Sequence, residues 1–187
     1  MSFKLTAVLL VILAAVGVYA YFYGKPPPPP EKATTFTYDV ELGDVYHIDV
    51  RHKDKRLVMD WDETAEKWRF QDSSLGEPDQ GRMNGIRLLL TGPGTKRTLF
   101  KERVDDLSGY GLDNPETVTT VRVKDGTVYV LLMGHMTPDG RSYYIKNQNE
   151  EAVYLVDVAW GDEVIRYVNE PPIAKEGEES PPGVPPL

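Results

Sequence analysis

Residues 5–23 constrain this chain more than any other stretch. They form a largely apolar and aromatic run of 19 residues with no charge, bounded by Lys4 and Lys25. As a helix rising 1.5 Å per residue, the run reaches about 28 Å, the hydrocarbon thickness of a bilayer. The chain after it is polar enough to live in water, so the sequence predicts a water-soluble domain tied to a membrane by one transmembrane helix. Tyr19, Tyr21, Phe22 and Tyr23 gather at the C-terminal end of the run, where amphipathic rings favour the headgroup layer. A cleaved secretory signal is the rival reading, because Val18-Tyr19-Ala20 loosely fits a small-residue cleavage site. The run is longer than the usual signal core of about 7–15 residues, and its aromatics would straddle the cut. The retained anchor is therefore preferred.

Lys4 precedes the run while Lys25 and Lys32 follow it, so the positive-inside count is close to a draw. All 29 Asp and Glu lie after Tyr23, against 20 of the 21 Lys and Arg. A long acidic domain can be translocated, and anionic lipids repel it. The expected arrangement is a cytoplasmic amino terminus (1–4), a transmembrane anchor (5–23), a proline-rich linker (24–39), an extracytoplasmic domain (40–170) and a tail (171–187). Pro26 to Pro30 are expected to form a stiff polyproline II spacer of about 3.1 Å per residue, which would lift the domain roughly 15 Å from the membrane. The tail carries too few apolar groups to offset its ordering entropy and is read as disordered.

The central part is long enough for one domain with a core. The chain has no Cys, which excludes disulfides, thiolate zinc sites and a cysteine nucleophile. A net charge of −8 argues against nucleic acid, whose phosphates need a basic surface.

Alternation marks the strands. Tyr46, Ile48 and Val50 point one way and His47, Asp49 and Arg51 the other; Leu57, Met59 and Trp61 form a second face, and Trp68 and Phe70 a third. A helix follows, with Pro78 and Asp79 in its first turn and Met83, Ile86, Leu89 and Leu90 as its apolar stripe. A return strand is expected over 95–102. Asp125-Gly126 reads as a two-residue hairpin loop, which sets Val123 opposite Val128, Val121 opposite Val130 and Thr119 opposite Leu132, all on one buried face. Strands over 142–147 and 152–156 lead to a closing helix over 158–168, whose inner side holds Val158, Gly161, Val164, Ile165 and Val168. The fold class is α+β: antiparallel meanders, each closed by a helix, in an order that reads as two half-repeats.

The segment Asp106-Leu107-Ser108-Gly109-Tyr110-Gly111-Leu112-Asp113-Asn114-Pro115 is distinctive. With Lys124-Asp125-Gly126, Leu132-Met133-Gly134, Ser142-Tyr143-Tyr144-Ile145 and Val153-Tyr154-Leu155-Val156, it resembles the bacterial domain-of-unknown-function family 4340. The N-terminal membrane helix and the early strand with its lone Trp68 share that resemblance, which extends over about residues 40–170. It implies the fold, a bacterial inner-membrane location and a link to ABC-type transporter components, but no chemistry. In the motif, Gly109 and Gly111 permit positive φ, Tyr110 and Leu112 plug the core and Pro115 stiffens the approach to the next strand. The main reading is a structural corner. The other is a partner-binding turn formed by Tyr110, Gly111, Leu112, Asp113, Asn114 and Pro115.

Chemistry-bearing residues are few. His47 lies beside Asp49, with His52 on the opposite face and His135 after Gly134, and no metal-binding spacing joins them. Asp60, Asp62, Glu63 and Glu66 surround one turn, and Asp105, Asp106 and Asp113 the motif; all read as solvated surface. Ser73, Ser74, Ser108 and Ser142 lack a nucleophile-elbow context. The expectation is a non-enzymatic, cofactor-free binding or scaffolding module of an envelope or transporter-associated membrane complex, with bilayer lipid and a membrane protein as partners. Two alternatives stand beside it: an extracytoplasmic enzyme or small-ligand sensor built on the acidic turns, and an accessory subunit of a bioenergetic membrane complex. A pocket lined by Asp105, Asp106, Asp113 or His135 would favour the enzyme or sensor.

Overall fold

A computed structural model of the chain describes residues 7, 12–16, 19, 35–99 and 106–175. Two compact units divide it, Met1–Ala33 and Thr34–Leu187. In the first unit the described residues are helical. Among the described residues no helix is long and apolar enough to cross a membrane. Most of the expected anchor, the proline spacer and residues 176–187 of the tail lie outside them.

Among the described residues, the second unit is a nine-stranded antiparallel sheet with two α-helices on one face. The strands are β1 (Thr35–Phe36), β2 (Val45–His52), β3 (Lys55–Asp62), β4 (Lys67–Phe70), β5 (Gly94–Leu99), β6 (Thr117–Val123), β7 (Val128–Met136), β8 (Ser142–Asn147) and β9 (Val153–Asp157). The helices are α1 (Gln80–Leu89) and α2 (Val158–Asn169). Across the sheet the order is β1-β5-β9-β8-β7-β6-β2-β3-β4. The expected half-repeats are therefore one layer: β6 pairs with β2, and β5 lies between β1 and β9 rather than beside β4. The described part of the return strand ends at Leu99.

Alternation places the core as expected. Ile48, Val50, Leu57, Met59, Trp61, Trp68 and Phe70 are buried with Met83, Ile86 and Leu90 of the α1 region and Val164, Tyr167 and Val168 of α2. Asp79 and Asp157 cap the two helices, accepting from Arg82 N (3.1 Å) and Ala159 N (2.9 Å). Arg87 was not foreseen in this core. Its guanidinium lies 5.7 and 5.6 Å from the rings of Trp61 and Trp68 and donates to Leu42 O; burial pulls its pKa down. Gln80 closes the edge of β4, accepting from Trp68 N (2.9 Å) and donating to Trp68 O (3.1 Å), where another strand would otherwise pair.

Three expectations are corrected. First, the β6–β7 hairpin has a three-residue loop. Gly126 N donates to Val123 O (2.9 Å), and Gly126 takes φ 91°, the type I turn plus bulge that Asp-Gly also favours. Register moves by one residue: Val121 faces Tyr129, and Thr119 faces Leu131. Tyr129, Leu131 and Met133 therefore turn toward the core, and Val128, Val130 and Leu132 turn away from it. Second, the domain begins before residue 40. Thr37 and Tyr38 are buried, and Tyr38 donates to Leu90 O (2.7 Å) and stacks on Tyr129. Third, the domain continues past 170: Asp79 N donates to Pro172 O (2.7 Å) and Ala174 N to Glu77 O (2.9 Å).

Candidate functional site

The motif folds as a corner against the sheet. Asp106 accepts from Ser108 N (2.9 Å) and Ser108 Oγ (2.6 Å), and these bonds hold its carboxyl below the usual range. A 3-10 turn over Ser108–Tyr110 ends at Gly111, whose φ is 70°. A side chain there would also strike the His135 ring, 2.5 Å from a Cβ. Gly109 needs no such freedom; its φ is not positive and open space surrounds it. Leu112 is buried, and the Tyr110 ring packs edge-on against Tyr144 at 4.7 Å. Gly134 admits the corner to β7, because a Cβ there would sit 2.1 Å from Tyr110 O. Tyr110, Gly111 and Leu112 are thus absorbed in packing. Pro115 is half-buried, and only Asp113 and Asn114 of the expected turn are exposed.

Beside the corner an open cleft of about 500 Å³ forms where several strand ends meet α2. Register brings His52, Thr117, Met133 and Ile145 into one row across β2, β6, β7 and β8. A bulge between Met133 and Met136 then redirects β7. His52, Lys53, Asn114, Glu116, His135 and the Tyr143–Asp162 pair are among the polar lining, and Met133, Met136 and Ile165 supply the apolar part. Gly161 lets α2 approach, since a Cβ there would lie 2.3 Å from the Tyr143 ring.

His52 Nδ1 lies 2.8 Å from Thr117 Oγ1, and burial, helped by the Lys53 charge, lowers the pKa of its imidazole. Tyr143 donates to Asp162 at 2.9 Å, and burial with that carboxylate pushes its pKa up to about 12. Neither His52 nor His135 is hydrogen-bonded to a carboxylate among the described residues. The lining therefore sets imidazole, amide and hydroxyl groups and the charges of Lys53, Glu116 and Asp162 beside thioether and aliphatic surface, a set suited to holding a polar ligand.

The other candidates do not join this cleft. His47 bonds Asp60 at 2.6 Å rather than Asp49, and Asp49 takes Arg56 through bonds of 3.0 and 2.7 Å. Asp62 caps its own turn, accepting from Thr64 N and Ala65 N, and pairs with Arg69. Asp106 and Asp113 are absent from the lining, and Asp105 lies outside the described residues. Among the described residues no three His, Asp or Glu side chains are grouped as metal ligands. Sequence reasoning found His135 and the corner. It missed Tyr143 and Asp162, which only strand order brings beside them.

The family model for a domain of unknown function, DUF4340, matches residues 68–169, more than half of the chain and all of β6 to β9, the corner and both helices. The chain belongs to the DUF4340 family. The matched DUF4340 segment contributes most of the cleft, while His52 and Lys53 come from the part before it. No curated protein matches the chain. No solved structure matches it either.

Proposed function

We propose that this DUF4340 protein is a single-pass, membrane-anchored module of the bacterial inner membrane whose domain binds or scaffolds a membrane-protein complex outside the cytoplasm, without catalysis. The uncharged run of 19 residues ahead of a polar domain carries the reading. The occupied turn carboxylates of Asp62 and Asp106 also favour it, because each is spent on local capping. Components of ABC-type transporters are the partner class that the family resemblance suggests. Extraction in mild detergent, followed by sizing and mass spectrometry, tests this: one defined membrane-protein complex is expected, and a chain that always elutes alone and monomeric contradicts it.

The cleft favours a second reading, a small-ligand sensor, because His135, His52 and Asn114 line it. A soluble ligand that protects the chain thermally, and loses that effect on Asn114→Ala, would select the sensor. Protection that survives the substitution would reject this cleft as its seat.

A further inference from the structure

Three residues of β7, Met133, His135 and Met136, line the cleft together with His52. The chain has no Cys, so thioethers are its only sulfur donors, and two of its five Met stand here. Register and bulge explain how these residues meet. His52 pairs with Thr117 and Thr117 with Met133, which sets the three in one row. Met133 is buried, its Sδ 3.0 Å from where a Cβ on Gly161 would stand. Beyond the bulge Met136 pairs with Tyr143, whose ring lies against the same Gly161. Met136 thus returns to the side that α2 covers, and His135 falls within the bulge with its ring against Gly111.

The carboxylates of this lining are already engaged. Asp162 accepts from Tyr143 at 2.9 Å, and Glu116 lies 3.4 Å from Lys53. The imidazoles and thioethers are not. His52 turns Nδ1 to Thr117 Oγ1 at 2.8 Å, which leaves Nε2 for a ligand, and burial favours the neutral ring that ligates. The His135 ring makes no hydrogen bond among the described residues. Met136 is 41% exposed, and its unbranched side chain can swing toward the cleft. Thioether sulfur favours Cu(I), and imidazole suits copper as well. Calcium and magnesium require oxygen donors, and protein zinc sites draw on thiolate, imidazole and carboxylate. The donors left over in this cleft therefore select a soft ion.

We propose that His52, Met133, His135 and Met136 bind one soft monovalent cation of the Cu(I) class in the cleft. This rests on the reading of the cleft as the seat of a small ligand. Because no carboxylate enters the set, affinity ranks copper-class ions above Zn(II) and Ca(II). Thr117 is a positioning residue that fixes the His52 ring through its other nitrogen. Three of the donors lie within the DUF4340 match and His52 precedes it, so the full set draws on both parts of the chain.

Silver(I), a redox-inert stand-in for Cu(I), tests this on the full-length chain in detergent and chloride-free buffer. Isotope-labelled methionine methyl groups report each thioether separately by NMR. The Met133 and Met136 signals should move together and stop moving at one silver per chain, while those of the buried Met59 and Met83 stay in place. His135→Gln and Met136→Leu should each weaken silver binding at least about ten-fold, and Thr117→Val about ten-fold. Met136 is exposed, so its substitution spares the core. Methyl signals that ignore silver overturn the site. So does silver bound equally well by His135→Gln and Met136→Leu, or Zn(II) bound more tightly than silver. A soluble ligand whose protection is lost on Asn114→Ala, in a chain whose methionines ignore silver, overturns the metal alone. Methionines that ignore silver, with ligand protection that survives Asn114→Ala, overturn the cleft as well.

Discussion

The β2–β3 and β6–β7 hairpins turn at opposite ends of one sheet, and their residues fit their backbones to very different degrees. At the β6–β7 tip, Gly126 takes φ 91° with nothing near it, and Asp125 accepts from Thr127 N at 2.7 Å. Sequence, turn and register agree there. At the β2–β3 tip a lysine occupies the left-handed backbone and two arginines are set face to face. Consistency across levels is the usual condition of a specified fold, and departures from it concentrate where function is selected. The contrast teaches that turns of one sheet can differ widely in how well their residues suit the backbone they adopt.

Substitutions sharpen this contrast, and the largest effect belongs to a turn that is well fitted. Gly111→Ala should destabilise the domain by about 2 kcal/mol or more, since left-handed strain adds to collision with His135. Gly126→Ala meets only the backbone cost and should lose about 1 kcal/mol. Denaturant unfolding of both variants measures the difference, and equal losses would show that the His135 ring yields freely. Lys53→Gly should act in the opposite direction, gaining up to about 1 kcal/mol. Should Lys53→Gly destabilise instead, the strain assigned to the β2–β3 tip is absent.

Arg51→Glu turns a like pair into an opposite one and should raise stability by about 0.5 kcal/mol. A variant that loses stability instead would mark Arg51 as a structural residue. The smallest effect concerns pH. Because burial lowers the His52 pKa, the folded state disfavours its protonated form, and stability is full above the ordinary value of 6.5 and declines as pH falls below it. His52→Gln should flatten the mildly acidic part of a stability–pH curve. An unchanged slope would assign that decline to another group.

Much of the fold was legible because burial and alternation coincide. The inward faces of β2, β3 and β4 and the apolar stripes of both helices could be read residue by residue. Register at Asp125-Gly126 could not, because the same dipeptide serves a two-residue loop and a three-residue loop with a bulge, and one residue reverses the face. Strand order was also hidden: α1 lies between β4 at one edge and β5 far across the sheet, and no local pattern encodes that crossing. The cleft depends on this order, which explains why His135 could be noticed but its neighbours could not. The Arg51–Arg56 conflict follows only from the pairing of two strands and is invisible as a basic stretch alone.

The central claim is that the first two dozen residues hold a water-soluble domain to a bilayer. Ultracentrifugation of cells broken without detergent, with the chain's mass determined in each fraction, tests it most directly. Uncleaved protein should sediment with membranes, resist extraction by high salt and be released by detergent. Uncleaved full-length protein in the supernatant would contradict the account.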